Sequence, residues 1–282
     1  MVNKISELPQ ILSYNGNELF IDSFSCRKIA AEFGTPIFCY SITQVEKNFL
    51  ELKNSFKKIS PLICYAVKAN FNKNIIKLLA KNGAGADVVS IGELKHCLKY
   101  GINPNKIVFS GVGKTNEELE FAIKKNIKQI NIESEEELDD IIKICKVNKL
   151  KKKTKISVRV NPDVDAETHE KISTGRSEDK FGVPIKKVRR IFEKYESEKK
   201  IEFVGISIHI GSQIQKIGPF KKAFVKVRKE IISLIDSGHK ISTVDLGGGI
   251  GIDYGEDKIF QIKEYSDLIE RLFFDLKIEV IL

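Results

Sequence analysis

The sequence predicts an α/β fold in which eight parallel strands form a TIM barrel. Two observations predict it. From Leu62 to the end of the chain, short apolar segments alternate with segments whose apolar residues recur at helical spacing, as expected of repeated βα units around a parallel sheet. The apolar segments number eight, which is the strand number of such a barrel. An open, doubly wound sheet is the alternative for this pattern.

Little structure is predicted before the barrel. Residues 1–38 are of mixed character, and the turn residues at positions 15–17 predict a short strand or hairpin outside the main pattern. A helix is predicted from Ser41, because apolar residues such as Val45 and Phe49 recur on one helical face.

Strands and helices then alternate along the chain. The strands are predicted from short apolar runs, at Leu62–Lys68, Asp87–Val89, Ile107–Ser110, Gln129–Ile132, Lys155–Val160, Phe203–Ile210, Thr243–Leu246 and Lys277–Leu282. The helices are predicted from amphipathic spacing, at Ile75–Lys81, Ile91–Lys99, Asn116–Lys125, Glu135–Val147, Ile185–Glu196, Phe220–Ser237 and Ile262–Leu276. No helix follows the eighth strand, so we expect a barrel without its last helix, covered by a neighbour or belonging to a longer protein.

The composition is that of an ordinary globular protein, with 42% hydrophobic and 30% charged residues. The net charge of +9 is spread and dominated by lysine, so we expect a solvated basic surface and no nucleic-acid partner. No apolar run approaches the roughly 18 residues that a membrane span requires, and the N-terminus lacks a signal-peptide core. Five scattered cysteines predict neither a disulfide framework nor a metal site. We therefore expect a cytoplasmic protein without a membrane partner.

Residues that carry chemistry follow the predicted strands. Active sites of such barrels lie at the carboxyl ends of the strands, so residues at those ends are expected on one rim. They are Lys68, Asp87, Arg159, His209, Ser212, Gly247, Gly248 and Gly249. Taken singly, each has a plainer interpretation: Lys68 could extend to water, His209 could be a core histidine, and the glycines could form only a turn.

Together, these residue types indicate pyridoxal 5'-phosphate. The aldehyde of that cofactor requires a lysine amine such as Lys68 to form a Schiff base. Its phosphate requires backbone N–H donors, which the glycine loop after the seventh strand could supply, with Ser212 adding a hydroxyl. Metal-dependent hydrolysis would instead require clustered ligands, and the four dispersed histidines predict no metal site.

The chain resembles the diaminopimelate decarboxylase family, within the alanine racemase-like class of pyridoxal phosphate enzymes. The resemblance extends from about Leu19 to Leu282 and rests on particular segments. They are GTPIFCY at 34–40, CYAVKAN at 64–70, GAGADVVSIGEL at 83–94, FSGVGKT at 109–115, RVNPDVDAETHEKISTG at 159–175, KFG at 180–182, HIGSQI at 209–214 and DLGGGIGIDY at 245–254. The FSGVGKT and RVNPDVD segments favour the diaminopimelate branch over the ornithine and arginine branches.

The resemblance implies a role for the candidate residues. Lys68 would hold the cofactor as a Schiff base and, with His209, which would stack on the ring, would be catalytic. Asp87 and Arg159 would line the ring and the Schiff-base region. The remaining candidates would bind the phosphate, namely Ser212, Gly247, Gly248 and Gly249.

The resemblance also implies the reaction, which is decarboxylation of meso-2,6-diaminopimelate to L-lysine and CO2 by a homodimer, with Lys180 near a dimer contact. In that family a Glu-Pro-Gly-Arg motif and a C-terminal β domain follow the eighth strand. Residues 1–38 would join that domain, residues 39–282 would be the barrel domain, and residues 1–282 alone are expected to be inactive. None of the five cysteines matches the family's catalytic cysteine. The alternatives are a non-catalytic single-barrel pyridoxal phosphate protein and a related amino-acid decarboxylase or racemase.

Overall fold

The computed structural model describes residues 11–167, 174–175, 181–253 and 259–282. Residue contacts divide the chain into two compact units, Met1–Glu51 and Leu52–Leu282. The predicted division after residue 38 stays a prediction.

The first unit contains a three-stranded antiparallel sheet and a short helix. Its strands are β1, Leu12–Asn15; β2, Glu18–Ile21; and β3, Phe24–Ser25, in the order β1-β2-β3. The predicted hairpin is confirmed, since Asn15 pairs with Glu18 across a tight turn in which Gly16 has a φ of 59°. Helix α1, Cys26–Phe33, follows β3 directly, and the Ser25 hydroxyl caps it.

Helix α2, Ile42–Ser55, spans the boundary between the units and confirms the helix predicted from Ser41. The strands of the second unit are β4, Cys64–Ala66; β5, Gly85–Val88; β6, Ile107–Phe109; β7, Gln129–Ile132; β8, Thr154–Asn161; β9, Val183–Pro184; β10, Ile201–Ser207; β11, Thr243–Asp245; and β12, Glu279–Ile281. Its helices are α3, Lys73–Lys81; α4, Ile91–Lys99; α5, Asn116–Lys125; α6, Glu135–Val147; α7, Val188–Lys194; α8, Ile217–Asp236; and α9, Ile262–Phe273.

Eight of these strands form a closed parallel barrel, in the order β4-β5-β6-β7-β8-β10-β11-β12. The last strand returns to the first: the Leu62 N–H donates to Val280 O at 2.8 Å, and the Cys64 N–H donates to Leu282 O at 2.7 Å. An open doubly wound sheet leaves its edge strands unpaired, so the predicted barrel is confirmed and the alternative is wrong. The short β9 pairs with the end of β8 outside this path.

The prediction was wrong about where the first barrel strand ends. Strand β4 stops at Ala66, and Lys68 lies in a single 3₁₀ turn, Val67–Ala69, closed by a hydrogen bond from Asn70 N–H to Val67 O. The last β4–β5 pair is Ala66 with Asp87, so beyond it the ladder no longer holds the chain extended. The sixth barrel strand likewise ends at Ser207 and not at the predicted Ile210.

Apolar residues fill the layer between the sheet and the helices, as in α8, where Phe220 and Phe224 pack against Tyr265 of α9 with ring centroids 5.1 and 6.0 Å apart. Polar residues lie within the barrel along β7 and β11. Those on β7 and β11 are hydrogen-bonded across the interior, namely Gln129, Asn131, Thr243 and Asp245. The network extends from Gln129 and Thr243, at the amino ends of these strands, to Asn131 and Asp245, nearer their carboxyl ends.

Candidate active site

A cavity of about 660 Å³ opens at the carboxyl ends of the barrel strands. All eight candidate residues predicted from the sequence line it, namely Lys68, Asp87, Arg159, His209, Ser212, Gly247, Gly248 and Gly249. The structure therefore brings together side chains from β4, β5, β8, β10 and β11 and from the loops that follow them. The predicted dimer contact at Lys180 lies outside the described residues.

Lys68 enters the cavity from the turn that follows β4. Cys64, Ala66 and Lys68 all line the cavity, so the alternation of the strand persists through the turn and places the amine beside two small side chains. Among the residues that the structure describes, no hydrogen bond or ion pair engages the Lys68 ammonium. Its amine is therefore free to react with a ligand in the cavity.

His209 lies just beyond β10 and faces the glycine loop. The Gly248 N–H approaches Nδ1 of the imidazole at 3.4 Å, which requires that nitrogen to be an acceptor and the ring to be neutral. Burial, followed by the positive charges of Arg159 and Lys68, lowers the pKa of His209 to about 3. The ring is thus a flat, uncharged surface at neutral pH.

The glycine loop after β11 is built for close backbone approach. Gly247 and Gly249 have φ values of 64° and 106°, and a Cβ on either would lie 2.4 Å or less from a backbone oxygen. A Cβ on Gly248, in contrast, would meet no atom within 4 Å. In the described part of the chain, nothing accepts a hydrogen bond from the N–H of Gly249. The loop therefore offers N–H donors and open space to a ligand.

A second loop holds this glycine loop in place. Ile214 N–H donates to Gly249 O, and Gly251 N–H donates to Ile214 O, both at 2.9 Å. Gln213 adds two side-chain hydrogen bonds to the backbone of Ile252, at 2.6 and 2.9 Å. Because these bonds join the loops that follow β10 and β11, Ser212 and the glycines are fixed on the same side of the cavity.

Asp245 connects the glycine loop to the barrel interior. Its carboxylate accepts from Gly247 N–H at 3.0 Å and from the Asn131 amide at 2.7 Å, and Asn131 also donates to Ser110 Oγ at 3.0 Å. Burial, together with the nearby charge of Asp87, raises the pKa of Asp245 to about 6, although the two hydrogen bonds oppose the rise. Asp245 therefore links the glycine loop to Asn131 of β7 and holds the loop against the barrel interior.

Asp87 has an incomplete set of partners. Its Oδ1 is buried and accepts no hydrogen bond from the described residues. Burial raises the pKa of Asp87, whereas the hydrogen bond with Ser110 and the charges of Lys68 and Arg159 lower it. A buried acceptor without a donor is costly, so a ligand that supplies a donor at this place would stabilise the site.

Arg159 is held by a glutamate that the sequence interpretation had not singled out. Its Nη1 donates to Glu133 Oε1 at 2.6 Å, and both side chains are more than 90% buried. The ring of Phe181 lies 4.8 Å from the guanidinium carbon. One signal could have revealed Glu133: polar residues alternate along β7 and beyond it, at Gln129, Asn131 and Glu133, as expected of a strand with a polar interior face.

The residues present fit pyridoxal phosphate. The cavity supplies a reactive amine at Lys68, a neutral flat ring at His209 and a nest of N–H groups at the glycine loop. The unpartnered oxygen of Asp87 and the open position above Gly248 are places that the protein itself leaves unfilled. In the described ranges, no group of three or more residues has the arrangement of a metal site.

Residues 42–279 match the family described as pyridoxal-dependent decarboxylase, pyridoxal binding domain. The chain belongs to this family. As a pyridoxal-dependent decarboxylase domain, it takes pyridoxal phosphate as its cofactor. Among curated proteins, it is 43% identical over 99% of its length to the diaminopimelate decarboxylase of Aquifex aeolicus and 38% identical over 92% to that of Zymomonas mobilis. The chain spans 66% and 62% of those relatives, respectively.

Solved structures of this family share the fold. The Helicobacter pylori diaminopimelate decarboxylase complexed with L-lysine aligns with a TM-score of 0.87 and 40% identity, covering 90% of this chain and 64% of the other. The M. jannaschii enzyme in complex with L-lysine aligns with a TM-score of 0.89 and 33% identity, covering 97% and 66%. A Chlorella virus arginine decarboxylase, at 23% identity and a TM-score of 0.75, shows the fold alone.

No helix in the described part of this decarboxylase domain is long and apolar enough to cross a membrane.

Proposed function

We propose that this decarboxylase domain is the cofactor-binding barrel of an enzyme that converts meso-2,6-diaminopimelate to L-lysine and CO2. The observation that carries the proposal is the convergence of Lys68, His209 and the glycine loop on one cavity. The curated relatives support the substrate, since those with 36–43% identity are named diaminopimelate decarboxylases. The likeness to the arginine decarboxylase is too distant to favour another substrate.

Pyridoxal phosphate, when bound, supplies an aldehyde that reacts with amines and a ring that accepts the electron pair left by departing CO2. Lys68 is the residue whose amine would hold that aldehyde. Its position beside Cys64 and Ala66 leaves room for a ligand, and no described residue competes for the amine. Cys64 itself is an unsuitable nucleophile, because burial and then the charge of Asp245 raise the pKa of its thiol.

His209 is proposed to stack on the cofactor ring. A neutral imidazole can lie against a ring without placing a second full charge there, and the low pKa of His209 keeps it neutral at physiological pH. The Gly248 N–H lies 3.4 Å from Nδ1 of this ring, which is long for a hydrogen bond. Asp87 and Arg159 are proposed to line the same region, with the unpartnered Asp87 oxygen accepting a proton or hydrogen bond from the bound ligand.

The phosphate is proposed to bind at Ser212 and the glycine loop. Gly248 and Gly249 present N–H groups and no side chain, and Ser212 is exposed beside them in the cavity. The guanidinium of Arg159, which also lines the cavity, complements a negatively charged ligand. Held in this way, the cofactor would be positioned at both ends, by Lys68 and by the loop.

We also propose a homodimeric, cytoplasmic enzyme. The dimer is proposed from the family resemblance. The cysteines support the location, since all five are free thiols and three of them, Cys64, Cys97 and Cys145, are buried. Free thiols are typical of a reducing compartment.

The substrate is tested by measuring CO2 release from meso-diaminopimelate, L-lysine, L-ornithine and L-arginine by the product of the complete reading frame, loaded with pyridoxal phosphate. We expect kcat/KM for meso-diaminopimelate to exceed the others by on the order of 10²-fold or more, because sites built around a polar substrate group reject ligands that lack it. Lys68→Arg, which keeps the charge and loses the reactive primary amine, is the matched negative control. A larger kcat/KM for ornithine or arginine would contradict the proposed substrate.

A further inference from the structure

One carboxylate, that of Glu133, joins three separate segments at the mouth of the cavity. Glu133 Oε1 accepts from Arg159 Nη1 at 2.6 Å and from Gly111 N–H at 3.2 Å. Its Oε2 accepts from Gly182 N–H at 2.9 Å. Glu133 follows β7, Arg159 belongs to β8, and the two glycines lie in the loop after β6 and just before β9. The carboxylate therefore links the segment that follows β7 to these three other segments of the barrel rim.

The contacts around Glu133 restrict the position of the Arg159 side chain. Glu133 is 9% exposed and Arg159 is 8% exposed, so both charges are largely removed from water. A buried carboxylate is tolerated when several donors satisfy it, and Glu133 has three. The Arg159 guanidinium also lies over the ring of Phe181. The Arg159 head group is thus held between a charge and an aromatic face.

Of the two side chains, only that of Arg159 lines the cavity. Glu133 contacts the cavity only through Arg159 and the glycine backbone. The positive charge of Arg159 acts on three other cavity residues, since it contributes to the low pKa of His209 and opposes the raised pKa of Asp87 and of Asp245. A displaced guanidinium would change the electrostatic surroundings of all three.

We propose that Glu133 is a positioning residue that holds the Arg159 guanidinium at the pyridoxal-binding cavity and so sets the charge that a bound cofactor meets. This inference rests on the cofactor site and deepens the proposed function. The competing interpretation is that Glu133 only joins the surrounding loops and matters to stability alone.

A double-mutant cycle separates the two interpretations. Pyridoxal phosphate affinity is measured by absorbance titration of the full chain with Glu133→Gln, Arg159→Gln and both substitutions together. Glutamine keeps the size of Glu133 and its oxygen for a glycine N–H, but removes the charge. We expect Glu133→Gln to weaken binding about tenfold when Arg159 is present and less than twofold when Arg159 is already replaced, because contacting residues are not additive.

Two further measurements distinguish an effect on the charge at the cavity from an effect on stability alone. The absorbance of the bound cofactor as a function of pH is expected to shift in Glu133→Gln, and Glu133→Asp, which keeps the charge, is expected to restore affinity to within about threefold of the parent. Glu270→Gln is the matched control: Glu270 is 5% exposed and accepts backbone N–H groups at Lys57 and Lys58, outside the cavity. This control is expected to lower the melting temperature and leave cofactor affinity and its pH profile unchanged.

Equal losses from Glu133→Gln in both Arg159 backgrounds, or no loss in either, would overturn the proposal. Should Glu133→Gln fail to fold by circular dichroism, Glu133→Asn, which also removes the charge and is one methylene shorter, replaces it in the same cycle with the same two criteria. If the unsubstituted chain binds no pyridoxal phosphate, the cofactor site is overturned and this proposal with it. If the chain binds the cofactor and the cycle is non-additive, but meso-diaminopimelate is not decarboxylated, the role of Glu133 stands and only the proposed reaction fails.

Discussion

Replacing Gly248 with valine tests whether the glycine loop binds the cofactor phosphate. A Cβ placed on Gly248 meets no protein atom within 4 Å, so the new side chain occupies cavity space without displacing the folded chain. The φ of Gly248 is also outside the left-handed region that favours glycine. The substitution is therefore expected to leave the fold intact and to act on the ligand.

The expected loss follows from the donors at this loop. Gly249 N–H has no acceptor in the described part of the chain, and Gly248 N–H has only the long contact of 3.4 Å with His209. A hydrogen bond to a charged group contributes about 1.5–3 kcal/mol. Excluding a phosphate from these two donors should then cost about 3 kcal/mol at the low end. Since 1.4 kcal/mol is a factor of ten, we expect affinity for pyridoxal phosphate to fall about a hundredfold.

The assay is equilibrium dialysis of pyridoxal phosphate against the parent chain and two variants. Gly218→Val in α8 is the matched control, because a Cβ on Gly218 also meets nothing within 4 Å and the residue does not line the cavity. Gly248→Val and Gly218→Val are expected to melt within a few degrees of the parent, and only the former should lose affinity. Unchanged affinity in folded Gly248→Val would show that the loop is a turn without a role in phosphate binding.

Three further predictions concern the other cavity residues. Borohydride reduction of the cofactor-loaded protein followed by peptide mapping should label Lys68, and a label on another lysine would refute that assignment. Burial raises the pKa of Asp245 from 3.8 to about 6, so the folded chain retains a proton there that the unfolded chain has lost. This contribution to stability is present below about pH 4 and is lost as the pH rises through 6. A pKa difference of about 2 corresponds to roughly 3 kcal/mol. Asp245→Asn, which cannot ionise, should flatten the fall in unfolding free energy between about pH 4 and 7, and denaturant titrations with an unchanged pH profile would contradict this. Because burial, followed by the charges of Arg159 and Lys68, lowers the pKa of His209 to about 3, its ring protons should show no NMR titration between about pH 5 and 8, and a midpoint near 6.5 would count against the neutral ring.

The sequence alone was sufficient to predict helices whose bounds are determined by residues close by in the sequence. The predicted bounds of α4, α5 and α6 coincide with the structure. Each of these helices follows a serine or threonine whose hydroxyl accepts from the backbone at the third helical position, namely Ser90, Thr115 and Ser134. Helix caps and apolar spacing are local, so they can be read within about a dozen residues.

The shared rim of the candidate residues was also predictable. In a closed parallel barrel all strands end on the same side, so Lys68 and His209 had to be near one another once the strand order was known, although 141 positions separate them in the sequence. Their roles in cofactor binding stay predictions, which the experiments above test.

Only the tertiary structure decided which polar side chains pair across the barrel. Asn131 and Asp245 are 114 residues apart and lie on strands that are not neighbours in the sheet, yet they are hydrogen-bonded at 2.7 Å. The pairing of Glu133 with Arg159 and with two glycine N–H groups was missed for the same reason. Such contacts depend on the stagger of all eight strands, including the irregularity between Phe203 and Gly205, and no short segment of sequence contains that information. The strand pattern predicted the face on which Lys68 lies, but not the point at which the chain leaves the sheet: the ladder between β4 and β5 ends at the Ala66–Asp87 pair, although β5 itself continues to Val88.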